Sequence, residues 1–74
     1  MSDKAIKIKE DYIRLDSALK LAGLVATGGH AKIVIQNGEV KVNGEVCTMR
    51  GKKLREKDTV LYGDNSFTVH YADT

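Results

Sequence analysis

At 74 residues the chain has room for one domain and one modest core, and 42% hydrophobic with 30% charged residues sets it apart from disordered chains. A net charge of +2 excludes a uniformly basic or acidic molecule, so any attraction for anions must come from local patches. The one cysteine, Cys47, excludes an internal disulfide and a paired-cysteine zinc site, and no apolar run approaches the roughly 20 residues of a membrane span.

The opening MSDKAIKIKE is charged and has no signal-peptide core, so a reducing, cytoplasmic setting is expected. Ala5-Ile6-Lys7-Ile8-Lys9 alternates apolar and basic residues, the period of a strand with one buried face. A partner is available at the other end in Ser66 to Tyr71, where Phe67, Val69 and Tyr71 share a face. Between Tyr12 and Gly23 the period changes. Leu15, Ala18, Leu19 and Ala22 form one apolar stripe on a helix, Arg14, Ser17 and Lys20 form a neighbouring polar stripe, and Gly23 lies where a left-handed cap is wanted. Asp16 in the first turn suits the helix dipole.

After the short apolar link Leu24-Val25-Ala26, Thr27 can cap a second helix by accepting a backbone N–H from Gly29 or His30. Ala31, Val34 and Ile35 make its apolar face, Ile33 falls on the polar side, and Asn37-Gly38 ends it. Asn43-Gly44, flanked by Val40-Lys41-Val42 and Glu45-Val46-Cys47, predicts a two-residue hairpin in which Val40 faces Cys47, so that Cys47 is expected inside. Thr48 to Lys57 carries Arg50, Lys52, Lys53, Arg55 and Lys57 against Glu56 alone, a density that suits an exposed loop or edge strand. Thr59 to Tyr62 is a short strand, and Gly63-Asp64-Asn65 turns into the last one. The order β-α-α-β-β-β-β predicts a single α+β domain over residues 1–74, two helices packed on a small, mainly antiparallel sheet.

Two features bear on function. The basic run can be a solvated loop, but its single sign and its place after a fixed hairpin favour binding of phosphates, with Arg50 and Arg55 as bidentate donors and Lys52 and Lys53 as point charges. Thr27-Gly28-Gly29-His30 puts small residues at a helix N-terminus where an anion could approach, although a tight turn explains it equally well. It has the spacing of neither a dinucleotide fingerprint nor a Walker loop. His30 and His70 have no companions at ligand spacing, Cys47 has no neighbouring base, and no acidic pair is placed for proton transfer. No catalytic residue, metal, cofactor or small-molecule substrate is therefore expected. With three tyrosines and one phenylalanine, the chain offers little for a base-stacking sheet, and recognition of an RNA should rest on phosphates and shape.

In order and spacing the residues resemble the RNA-binding domain named after small-subunit ribosomal protein S-four, the alpha-L motif. The likeness rests on Arg14-Leu15-Asp16 with Leu19, on Thr27, Ala31-Lys32 and Ile35, on Gly38, Val40 and Val42-Asn43-Gly44, and on Asp58 and Val60, from about residue 12 to residue 61. The family typically has Ser-Arg where this chain has Thr27-Gly28, so one basic contact is missing. Gly28-Gly29 with Ala31-Lys32, and Arg50-Gly51-Lys52-Lys53-Leu54, are similar to a small stand-alone bacterial subgroup.

The resemblance implies a non-enzymatic protein that binds structured RNA, ribosomal or transfer RNA, through both helices and the following loop. It favours Arg14, Lys20, Thr27, Gly29, Lys32, Arg50, Lys52, Lys53 and Arg55 as contacts, and it requires their cations to share one exposed side. The alternative is an interaction module whose basic loop docks on an acidic protein or on the ribosome without reading RNA directly.

Overall fold

In the computed structural model, which describes residues 2–72, the elements are β1 (Ser2–Ile8), β2 (Ile13–Arg14), α1 (Leu15–Leu21), α2 (Gly28–Gln36), β3 (Val40–Val42), β4 (Glu45–Val46), β5 (Lys53–Leu54), β6 (Thr59–Tyr62) and β7 (Asn65–Tyr71). The five longer or hairpin-forming strands build one sheet in the order β1-β7-β6-β3-β4. The two-residue strands β2 and β5 pair separately as an antiparallel ladder, an element beyond the expected ones.

Alternation does place the terminal strands together, and they run parallel, Ile6 beside Val69 and Ile8 beside Tyr71. A parallel pair needs a long crossover, and here the rest of the domain supplies it. The remaining pairings are antiparallel, with β6 between β3 and β7. One face of this sheet contributes Ile6, Ile8, Val40, Val42, Val60, Phe67 and Val69 to the core. The helices lay their stripes on it: Leu15, Ala18, Leu19, Ala22, Ala31, Val34 and Ile35 are buried in the same cluster. This is the two-layer α+β arrangement that the sequence implied.

Both helices stop in the same way. Gly23 (φ +78°) and Gly38 (φ +77°) adopt the left-handed conformation. Leu24 N then donates to Leu19 O and Gly23 N to Lys20 O, while Glu39 N donates to Val34 O and Gly38 N to Ile35 O. These crossed bonds consume carbonyls that the last helical turn leaves open. Lys4 Nζ adds a bond of 3.0 Å to Ala22 O, a cation at the negative end of α1.

Asn43 (φ +51°) and Gly44 (φ +88°) form the primed turn that a two-residue hairpin requires. Asn43 also ties the hairpin to the strand beyond it: Thr59 N donates to its Oδ1 at 2.9 Å and its Nδ2 donates to Asp58 Oδ1 at 3.1 Å. Asp58 Oδ2 in turn accepts from Arg55 N at 2.8 Å. The residues Asn43 and Asp58, far apart in the chain, thus fix where the end of the basic run lies. Cys47 N still bonds Val40 O at 3.0 Å as the register requires. Its side chain is half-buried rather than enclosed, because the β3–β4 ladder ends at Val46 and the chain then leaves the sheet.

Candidate functional site

The basic run is positioned by its backbone. Leu15 N donates to Lys52 O at 2.9 Å and Asp16 N to Arg50 O at 3.1 Å, so N–H groups that α1 cannot satisfy internally are taken by carbonyls of the loop. Lys52 N closes a turn on Met49 O at 3.1 Å. Next to it, β5 pairs with β2, Lys53 opposite Arg14 and Leu54 opposite Ile13. Leu54 is fully buried and acts as the anchor of an otherwise charged segment. As a result Arg14, Arg50, Lys52 and Lys53 project from adjoining backbone, all exposed to solvent, and Arg55 follows directly.

Charge in this cluster is largely uncompensated. Among the described residues the ion pairs are Arg14–Asp16 at 3.2 Å and His70–Glu56 at 2.8 Å. The first occupies one nitrogen of Arg14. The second engages the only acid of the run: Glu56 accepts from Tyr71 N at 2.6 Å and meets His70 Nδ1. The Tyr71 N–H first, and His70 second, hold the Glu56 carboxyl below the ordinary value of 4.5. Arg50, Lys52, Lys53 and Arg55 are left without a carboxylate partner among the described residues.

Tyr12 belongs to this site and escaped the sequence reading, which counted it only toward the scarcity of aromatics. Lys53 Nζ stands 4.9 Å and Arg55 Cζ 6.0 Å from its ring centroid, within the range of cation–π attraction. Tyr12 is 40% exposed and helps line a cleft of about 400 Å³, with Glu10, Ile13, Arg14 and Ser17. An aromatic two residues ahead of Arg14, with a lone leucine among the distant cations, was the available signal.

The helical residues are arranged differently. Thr27 caps α2, its Oγ1 accepting from His30 N at 3.0 Å, one of the two expected donors. Ala31 N bonds Thr27 O, and none of the described residues accepts from the N–H groups of Gly28 and Gly29. A side chain at Gly28 would meet nothing within 4 Å, so this turn is open to approach. Lys20 and Lys32 are exposed on α1 and α2. Lys20 lies in the last turn of α1, whereas Arg14 precedes the helix with extended backbone. Of the expected contacts, the structure thus joins Arg14, Arg50, Lys52, Lys53 and Arg55 into one cluster. Lys20, Thr27, Gly29 and Lys32 reach it through the α1–α2 framework, with no direct contact.

Among the described residues no group of three or more His, Cys, Asp or Glu is placed to hold a metal ion, and no helix is long and apolar enough to cross a membrane.

Comparison with known proteins agrees with this architecture. Residues 6–70 match the S4 domain family, a span that takes in the end of β1 and most of β7 as well as the motif. A Bacillus subtilis protein named "Probable ribosome maturation protein RlbA" is 42% identical over 65 residues, covering 86% of this chain and 92% of that protein. An Escherichia coli protein named "Putative RNA-binding protein YbcJ" is 38% identical over 61 residues, 82% of this chain and 87% of that protein.

Proposed function

The chain belongs to the S4 domain family, and from that premise we propose that it is a non-enzymatic, cytoplasmic RNA-binding protein that grips folded ribosomal or transfer RNA by its phosphates. The observation that carries the reading is the contiguous, carboxylate-free group of Arg50, Lys52, Lys53 and Arg55 beside Arg14. Guanidinium groups give directed pairs of hydrogen bonds to phosphate, and the lysines add charge that tolerates small changes in the path of the RNA. Two backbone bonds to α1 and the Asp58 clamp on Arg55 N order this segment before any ligand arrives. Less entropy is then lost on binding.

The open first turn of α2, with Thr27 and Gly29, and the exposed Lys20 and Lys32 extend the surface along the helices, so that a second stretch of the same backbone can be held. The names of the relatives, one tied to ribosome maturation and one to RNA binding, support RNA of the ribosome as the first ligand to test.

Substitution tests this directly. Lys52→Glu with Lys53→Glu replaces two cations by two anions on exposed positions and should abolish retention of ribosomal RNA fragments on the immobilised protein while leaving its melting curve intact. Retention of the fragments unchanged by the double substitution would overturn the role given to these lysines.

A further inference from the structure

We propose that the cleft between Tyr12, Arg14 and Ser17 seats one unpaired nucleotide of the bound RNA, its base against the Tyr12 ring and its flanking phosphates on Arg14, Lys53 and Arg55. The proposal rests on the RNA-binding reading of the same surface and adds a contact to a base, which phosphate gripping alone lacks.

The cleft, of about 400 Å³, is within the size range of small-ligand sites, roughly 300 to 1,000 Å³. Its lining residues are chemically mixed: an aromatic, an aliphatic, a cationic, a hydroxylic and an acidic one. A phosphate could use Arg14, Ser17 and the Tyr12 hydroxyl, but it has no use for Ile13 or an aromatic face and would be repelled by Glu10. A nucleobase has a use for every wall. Tyr12 offers an aromatic surface to stack on, Ile13 an apolar contact, and Ser17 a hydroxyl that donates or accepts. Glu10 can only accept when ionised, which suits the exocyclic amino group of cytosine, adenine or guanine and equally the N3–H of uracil.

Lys53 and Arg55 stand over the ring, 4.9 and 6.0 Å from its centroid, and do not line the cleft, so a base would stack on ring surface they leave open, while Arg14 lines the cleft from the other strand of the β2–β5 ladder. Phosphates on either side of a seated base therefore meet charge that is already organised. The second groove, about 340 Å³ beside Val46, Cys47, Met49 and Lys52, has no ring and a single cation, and does not offer this combination.

The test uses a blunt RNA duplex and the same duplex with one bulged cytidine, titrated against the full chain by fluorescence anisotropy. The wild type should bind the bulged duplex about tenfold more tightly. Tyr12→Leu should bring the bulged and blunt duplexes to equal affinity, whereas Tyr12→Phe should retain the preference. Equal affinity of the wild type for the two RNAs, or an equal loss on both with Tyr12→Leu, overturns the nucleotide site while leaving phosphate binding in place. Failure of the wild type to bind either RNA overturns the RNA-binding reading and this proposal together.

Discussion

Asn43→Ala perturbs the joint between the hairpin and the basic segment, and its cost can be worked from the geometry. The substitution deletes two side-chain hydrogen bonds, Thr59 N to Oδ1 at 2.9 Å and Nδ2 to Asp58 Oδ1 at 3.1 Å. Both are exposed, which puts each near the low end of the usual range, about 0.5 kcal/mol. The residue also holds φ at +51°, which asparagine tolerates and alanine does not, for about a further 1 kcal/mol. The sum is about 2 kcal/mol, and in a domain of this size it should lower Tm by about 8 to 16 °C. Asn43→Gly accepts the left-handed backbone but loses the same bonds, so it should recover about half the loss. Urea unfolding, with an unchanged dependence on denaturant, is the assay. A loss below about 0.5 kcal/mol for Asn43→Ala, or a glycine variant as damaged as the alanine one, would refute the account of the joint.

Two further outcomes are expected. Glu56 has its carboxyl below 4.5 in the folded chain, so its contribution is present above that pH and is lost as the pH falls through the folded value. The difference in melting temperature between wild type and Glu56→Gln should shrink on acidification from about pH 7 to about pH 2, and a difference that does not change with pH would contradict the role given to Tyr71 N and His70. Thr27→Ala removes the only side-chain cap of α2 and should cost about 1 kcal/mol in urea unfolding, with Thr27→Ser close to wild type. Equal stability of all three proteins would count against the capping bond.

The parts of the fold legible in the chain are those with a period long enough to read. Leu15, Ala18, Leu19 and Ala22 repeat over a whole helix stripe, and all four are buried. Asn43-Gly44 marks a turn whose chemistry is local. The parallel pairing of β1 with β7 was not legible, since alternation reports which face is buried and says nothing of strand direction. The β2–β5 ladder is two residues long, too short for any periodicity, yet it brings Arg14 to Lys53. In the candidate site the sequence marked the cations but not their neighbours. Tyr12 meets Lys53 and Arg55 across some forty residues of chain, a proximity set by Leu54 entering the core. Nor could spacing show that Glu56 pairs with His70.

The central claim is that a polyanion is held by charge at this surface, and the dependence of affinity on salt tests it most directly. Neutralisation of about four phosphates, by Arg50, Lys52, Lys53 and Arg55, predicts that log affinity for a ribosomal RNA fragment falls with log salt at a slope of about −3 to −4, and that Lys53→Ala reduces this by about 1. A slope near zero, or one untouched by loss of Lys53, would contradict the account.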